Sequence, residues 1–140
     1  MYIVSACLAG IKCRYDGRCN RDDFVYRLVE EGKAIPLCPE VLGGLPIPRV
    51  PCEIVFDGDI KRVINKEGED VTENFVEGAK KTLYIAKVVG AKAAILKSKS
   101  PSCGCGQIYD GTFTGKLIEG NGITCELLND NGIEIYTEKS

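Results

Sequence analysis

Short apolar runs recur along the chain, separated by segments in which apolar residues return at helical spacing. The runs occupy residues 2–8, 34–38, 91–97 and 133–137, and such short runs rich in aliphatic residues are typical of buried strands. Pro36 lies inside the second run, and proline is tolerated mainly at the edges or ends of strands. The pattern predicts four strands.

Three segments between and beside these runs have the periodicity of amphipathic helices. The first follows Asn20 and ends at Gly32, the second follows Asp70 and ends at Gly90, and the third covers residues 123–128. Asn20 and Asp70 each precede an acidic residue by three positions, a spacing that resembles a capping box at a helix start. Glycine after the last apolar position is a common helix stop.

The order of these elements predicts the fold class. Strands that alternate with helices favour a mostly parallel α/β sheet with helices on its faces, a Rossmann-like or flavodoxin-like three-layer sandwich. Residues 53–56 and 61–66 are β-prone and flank Asp57-Gly58, which predicts a small β-hairpin inserted into this fold. No repeat or linker interrupts the pattern, so we expect residues 1–140 to form a single domain.

Residues 98–122 have no convincing periodicity. A loop of this length inside a compact domain is usually functional or disordered. The aromatic residues Tyr109 and Phe113 and the low charge of the segment argue against disorder. We therefore expect this segment to contribute to a functional site.

Composition excludes several classes of function. The chain has 140 residues, a formal net charge of -2 and no histidine, which rules out His-dependent catalytic triads and the commonest zinc sites. Lysine and arginine are dispersed, so no DNA partner is expected, and no apolar stretch is long enough to predict a membrane span. The N-terminus lacks the features of a signal peptide, so we expect a reducing, cytoplasmic location in which the eight cysteines are thiols or metal ligands.

Three of the cysteines follow predicted strands. Cys7, Cys38 and Cys103 stand at or just beyond the ends of the first three runs, and the carboxyl ends of parallel strands meet at one edge of a sheet. Three thiolates without histidine suit a soft metal or an iron-sulfur cluster with one coordination position open to a ligand. The remaining cysteines show no zinc-finger or C-x-x-C spacing. We assign Cys125 to the core and leave four others undecided: Cys13, Cys19, Cys52 and Cys105.

Several polar residues beside these cysteines are candidates for chemistry, each with a structural alternative. Glu40 is either a solvated loop carboxylate or a general base near a bound substrate. Ser100 either caps the turn at Pro101 or takes part in proton transfer. Arg14 and Arg49 are weaker candidates for holding an anionic or carbonyl-bearing ligand.

Four ordered blocks of the sequence resemble one known family. The blocks are SACLAGIKCRYDG (5–17), LCPEVLGGLPIPR (37–49), DVTENF (70–75), and KSPSCG with IYDGTF (99–104 and 108–113). They are similar to the signature blocks of the thiouracil desulfidase (TudS-like) family, formerly a bacterial and archaeal domain of unknown function. The similarity extends over nearly the whole chain.

The resemblance implies an enzyme that uses a 4Fe-4S cluster to remove sulfur from the thiocarbonyl of a small thiolated nucleobase, giving the oxo base and sulfide. On matching positions the cluster ligands are Cys7, Cys38 and Cys103, and the catalytic residues are Glu40 and Ser100. The family pattern does not require cysteine at positions 13 and 105. Two alternatives remain at this point: a non-catalytic redox-sensing or sulfur-carrier protein, favoured by the C-x-C pair at 103 and 105, and a metal-binding module of the zinc type.

Overall fold

The computed structural model describes residues 1–140. The chain forms eight strands: β1 Tyr2–Ser5, β2 Ala34–Leu37, β3 Cys52–Asp57, β4 Ile60–Asn65, β5 Ala93–Leu96, β6 Gln107–Tyr109, β7 Leu117–Glu119 and β8 Glu134–Thr137. It also forms four α-helices, α1 Asp23–Glu30, α2 Pro39–Leu42, α3 Thr72–Val88 and α4 Ile123–Asp130, and one 3-10 helix, Ala6–Ala9. None of these helices combines the length and apolar character that a membrane span requires.

A parallel sheet with the strand order β2-β1-β5-β8 forms the centre of the molecule. Its four strands are the four predicted from the apolar runs. Pro36 lies on the edge strand β2, where the missing N–H of proline need not interrupt a ladder on both sides. The first predicted strand is shorter than expected, because the chain leaves the sheet after Ser5 and turns into the 3-10 helix.

Successive side chains along each strand point to opposite faces of the sheet, and helices pack on both faces. Val4 and Ile95 point to one face, where they pack with Val25 of α1. On the other face, Ile3 and Leu96 join a cluster formed with α3 and α4. The predicted three-layer α/β architecture is confirmed.

Two antiparallel hairpins sit beside the sheet. The predicted hairpin is β3–β4, and its turn includes Gly58 at φ 64°. The second hairpin, β6–β7, lies inside the segment that showed no periodicity. Its strands have three residues each, too few for alternation to be recognised in the sequence. Phe75 of α3 fills the small core that the two hairpins share.

The helix stops were predicted correctly, but the two predicted capping boxes were wrong. Gly32 and Gly90 follow α1 and α3 with φ of 73° and 69°. At the start of α1 the cap is Asp22, whose carboxylate accepts a hydrogen bond from the Val25 N–H at 3.1 Å. The Asp70 carboxylate does not form the predicted cap of α3. It accepts hydrogen bonds from the N–H of Thr72 and from the side chain of Arg62 on β4.

Candidate active site

A cavity of about 420 Å³ opens beyond the carboxyl ends of β1, β2 and β5. Ligands of open α/β sheets bind at this edge, because the loops that leave parallel strands converge there. The segment 97–103 forms one wall, and residues from the loop between β6 and β7 form another.

Cys7, Cys38 and Cys103 all line this cavity. Cys7 lies in the 3-10 helix that follows β1, and Gly10 ends that helix at φ 93°. Cys38 follows β2 and is the N-cap of α2, a short helix that the sequence did not predict. Cys103 lies in the turn after β5 and is buried. The parallel sheet therefore brings the three strand-end cysteines together, as expected from their positions.

The three thiols influence one another electrostatically. Burial raises the pKa of Cys7 to about 11, and the neighbouring Cys38 adds to the effect. Burial also raises the pKa of Cys103, with a hydrogen bond to Ser5 opposing it. A hydrogen bond donated by the Cys13 thiol favours the Cys38 thiolate and lowers the pKa of Cys38 to about 7. Two of the three are thus protonated at neutral pH unless a cationic group, such as a metal centre, favours the thiolates.

Two further cysteines line the cavity in different surroundings. The Cys38 thiol donates to the carbonyl oxygen of Cys13 at 3.7 Å, so Cys13 lies directly beside a candidate ligand. The Cys52 thiol donates to the Val50 carbonyl at 3.5 Å. Burial, followed by the Glu40 carboxylate, raises the pKa of Cys52 to about 12.

The other three cysteines lie outside the cavity. Cys125 of α4 is buried in the core, as predicted, and Cys105 packs against the same apolar cluster. Only one member of the C-x-C pair, Cys103, lines the cavity.

The thiols share the cavity without closing around a single ion. No three Cys, Asp or Glu side chains are close enough together to hold one metal ion. A tetrahedral zinc site needs its sulfurs within about 4 Å of one another, given Zn–S bonds of ~2.3 Å. An iron-sulfur cluster binds each cysteine through a different iron, so it fits thiols that line one cavity at larger separations. Three thiols that reach one cavity from three strand ends form a donor set that fits such a cluster.

The charged side chains around the thiols are mainly cationic. Four of them are cations, Arg14, Arg49, Lys97 and Lys99, and two are carboxylates, Glu40 and Glu53. A positive surplus at this wall offsets the negative charge that three thiolates bring into a partly buried site.

Glu40 is held in place by an ion pair with Arg49. The Nε of Arg49 donates to Oε2 of Glu40 at 2.8 Å, and Nη2 donates to the same oxygen. The Arg49 side chain is 6% exposed and that of Glu40 is 16% exposed, so the pair is largely desolvated. No hydrogen bond reaches Oε1 of Glu40, and the residue lines the cavity. Glu40 therefore presents one free, oriented carboxylate oxygen.

Ser100 both closes the Cys103 turn and faces the cavity. Its Oγ accepts hydrogen bonds from the backbone N–H groups of Ser102 at 3.1 Å and Cys103 at 3.0 Å. These two bonds occupy the lone pairs of the hydroxyl, while its proton has no partner in the protein. Ser100 is thus arranged as a hydrogen-bond donor toward the cavity, and the turn-capping interpretation holds as well.

Arg14 contributes to the cavity wall, whereas Asp16, two residues further on, does not. Arg14 donates to the side chain of Asn20 at 2.8 Å and lies 3.5 Å from the carboxylate of Asp16. The Asp16 carboxylate also accepts from the Arg18 N–H at 3.0 Å, which closes the turn. Asp16 therefore has a structural role in this turn.

Two carboxylates that organise the site carry no recognisable motif in the sequence. Glu53 of β3 lies in the cavity wall and accepts backbone hydrogen bonds from the loop at residues 111–113. Glu138 follows β8, accepts from the Ser98 N–H at 2.8 Å and pairs with Lys97 at 3.0 Å. Neither has a local motif, because each acts on a segment distant in sequence. The only signal for Glu53 is a charged residue inside an otherwise β-prone run.

Comparison with known proteins identifies the family. A model of the 2-thiouracil desulfurase family matches residues 2–140. The chain belongs to this family. The chain is also 48% identical over 145 residues to the uncharacterized protein YbbK of Bacillus subtilis (strain 168), covering 99% of this chain and 95% of YbbK.

A solved structure of the same family agrees with this membership. It is described as the 4Fe-4S-dependent thiouracil desulfidase TudS, and it matches with a TM-score of 0.90 and 43% identity. The match covers 99% of this chain and 90% of that one. The family resemblance inferred from the four sequence blocks is confirmed, and so is the fold.

Proposed function

We propose that this protein is a 4Fe-4S-dependent desulfidase that converts the thiocarbonyl of a small thiolated nucleobase, such as thiouracil, into a carbonyl and releases sulfide. Membership of the 2-thiouracil desulfurase family and similarity to TudS support the activity and the cofactor. The observation in this chain that carries the proposal is one cavity lined by three strand-end thiols, a free carboxylate oxygen and a free hydroxyl donor. We take residues 1–140 to act as one domain, in a reducing compartment such as the cytoplasm.

Cys7, Cys38 and Cys103 are the proposed ligands of the cluster. They follow three adjacent strands of the sheet, and each interacts electrostatically with another member of the set. Three protein ligands for four irons would leave one iron open, which would supply a thiophilic Lewis acid to polarise the C=S bond.

Glu40 is the proposed general base. Its Oε1 takes a proton from a water molecule, and the Arg49 pair on Oε2 fixes the orientation of the carboxylate. The water oxygen then forms a bond to the thiocarbonyl carbon. This role needs a carboxylate that faces substrate without binding metal, and Glu40 lies two residues beyond a proposed ligand on the first turn of α2.

Ser100 is the proposed proton donor to the nucleobase. Its two accepted hydrogen bonds leave only the hydroxyl proton to interact with substrate, which suits donation to a ring nitrogen. When the C–S bond breaks, the bond electrons leave with sulfur. The sulfide takes the two protons of the water molecule, one of them by way of Glu40, and Ser100 recovers its own proton from the ring nitrogen as the carbonyl forms. The net reaction is thiocarbonyl plus water giving carbonyl plus hydrogen sulfide, without an oxidant or reductant.

Anaerobic reconstitution of the cluster followed by incubation with 2-thiouracil and 4-thiouracil tests the proposal. We expect uracil and sulfide in equal amounts, with no product from the cluster-free protein. Brown protein that produces neither uracil nor sulfide from any thiolated base would favour a redox sensor or sulfur carrier instead.

A further inference from the structure

Two residues other than glycine have a left-handed backbone, and both line the cavity. They are Lys99 at φ 67° and Phe113 at φ 58°. A bulky side chain rarely adopts this conformation, which persists only when the surrounding structure holds it. Strain of this kind concentrates at functional sites, so the loop that carries Phe113 calls for a functional explanation.

Glu53 holds the loop in this conformation. Its Oε1 accepts from the N–H of Gly111 at 3.0 Å and from the N–H of Phe113 at 3.1 Å. At Gly111 a Cβ would lie 2.8 Å from the carbonyl oxygen of Ile54, so the loop packs directly on β3. Glu53 thus connects β3 to one aromatic residue of the cavity wall.

The carboxylate of Glu53 has no cationic partner. It is 9% exposed, forms no ion pair, and its second oxygen has no hydrogen bond within the protein. A buried, unpaired charge is unfavourable unless hydrogen bonds compensate, and here the compensation comes from the loop alone. The main interaction of this charge is therefore to fix the position of Phe113.

A planar heteroaromatic base can stack on an aromatic side chain. Stacking of one base on an aromatic ring contributes a factor of about 5 to 150 in affinity. The cavity has three aromatic side chains, Tyr15, Tyr109 and Phe113. Tyr15 already packs under the guanidinium of Arg14 at 5.5 Å, whereas the backbone of Phe113 is held in a strained conformation.

We propose that Phe113 is the stacking surface that selects flat heteroaromatic thiocarbonyls, and that Glu53 is the positioning residue that holds it. This inference rests on the proposed function, because it assigns the substrate class within the same site. Aliphatic thioamides such as thioacetamide have no ring to stack and gain nothing from Phe113.

Substitution of Phe113 tests the stacking surface. For 2-thiouracil we expect Phe113→Leu to raise KM about 5- to 100-fold with a smaller change in kcat, whereas Phe113→Tyr keeps an aromatic ring and restores KM to within about threefold. Calorimetric binding of 2-thiouracil should weaken in parallel in Phe113→Leu, and it measures the contact independently of turnover. Any KM measurable for thioacetamide should be the same in both variants.

Substitution of Glu53 tests the positioning role. Glu53→Gln keeps an oxygen that accepts both N–H groups, and Glu53→Ala removes it. In the cluster-free protein we expect amide hydrogen exchange at Gly111 and Phe113 to increase at least tenfold in Glu53→Ala and to remain slow in Glu53→Gln. KM for 2-thiouracil should follow the same order.

The outcomes separate this inference from the proposed function. Sulfide release with an unchanged KM in Phe113→Leu would overturn the inference and leave the desulfidase assignment intact. Binding of 2-thiouracil that weakens in Phe113→Leu, in a wild type that releases no sulfide, would overturn the activity and retain the stacking surface. Equal loss of kcat in Glu53→Gln and Glu53→Ala, with slow exchange in Glu53→Gln, would make Glu53 a base rather than a positioning residue.

Discussion

At the scale of single residues, the two carboxylate oxygens of Glu40 have different roles in the proposed chemistry. One carboxylate oxygen is engaged by Arg49, and the other has no partner in the protein. A carboxylate fixed in this way meets the geometric requirement for a general base, since it is oriented before substrate arrives. The sequence predicted the residue but not its partner, because Arg49 lies nine positions away beyond several turns.

Replacement of Glu40 by Gln should separate catalysis from cluster binding. The variant keeps the shape and loses the base, so we expect wild-type iron content and a fall in turnover of roughly two to four orders of magnitude. Ser100→Ala should lose less, because water can replace a donor hydroxyl. A thermal melt of each sample serves as the control, since Glu40→Gln also leaves the buried Arg49 without its counter-charge. Sulfide release at the wild-type rate in Glu40→Gln would show that Glu40 is not the general base and serves only to hold Arg49.

At the scale of elements, a close crossing of two helices positions the Cys38 turn. A Cβ on Gly78 of α3 would lie 1.9 Å from the carbonyl oxygen of Pro39, and one on Gly43 would lie 1.9 Å from that of Asn74. Only glycine allows α2 to approach α3 this closely. The short helix that carries Glu40 and follows Cys38 therefore depends on a helix that contributes nothing to the cavity itself.

Gly78→Ala should disturb the site from a distance. Overpacking of this contact should lower the free energy of unfolding by about 1–3 kcal/mol and also reduce iron retention after reconstitution. Glu77→Ala, on an exposed position one residue away, is the matched control. It should change the free energy of unfolding by no more than about 0.5 kcal/mol and leave iron retention unchanged. Normal iron retention in a destabilised Gly78→Ala protein would show that α2 does not depend on this crossing.

The end of the last strand contributes an acid-sensitive contact. Burial opposes ionisation of Glu138, but hydrogen bonds from the Ser98 backbone and from Lys97 lower its pKa below the ordinary 4.5. Its contribution to stability is therefore complete above the unfolded pKa and is lost as the pH falls through the lower folded pKa. Urea unfolding at neutral pH and at a pH below about 4 should show a smaller acid loss for Glu138→Gln than for wild type. Equal acid losses would mean that this carboxylate does not stabilise the Lys97–Ser98 segment.

At the scale of the whole molecule, the sequence predicted those features of the fold that depend on the local pattern of apolar residues and glycines. Apolar runs and glycine stops predicted the sheet, the three longer helices and the convergence of three cysteines at one edge. The second hairpin was missed because its strands are too short. The capping boxes were wrong because Asp22 caps α1 and because Asp70 binds Thr72 and Arg62 instead. The contacts of Glu53 and Glu138 join segments far apart in sequence, so they are visible only in three dimensions.

The fold should survive removal of the cluster. The two apolar cores on the faces of the sheet are packed by protein side chains, with Val4, Leu8, Ile3 and Leu128 almost fully buried. A group that binds only the native state adds stability in proportion to its affinity, so chelation should lower Tm by several degrees and leave the far-UV circular dichroism unchanged. Cys103→Ser should show no shift on chelation. Loss of secondary structure on chelation would make the cluster a folding element rather than a catalytic one.

The central claim is that three thiols, and not the others, hold the cluster that drives desulfuration. Iron content and sulfide release from 2-thiouracil, measured on one set of anaerobically reconstituted Cys→Ser variants, test it most directly. Cys7→Ser, Cys38→Ser and Cys103→Ser should each lose most of the iron and the activity, whereas Cys13→Ser and Cys105→Ser should retain both. Full activity in any of the first three, or loss of iron in Cys105→Ser, would contradict the ligand assignment and the open iron on which the proposed reaction depends.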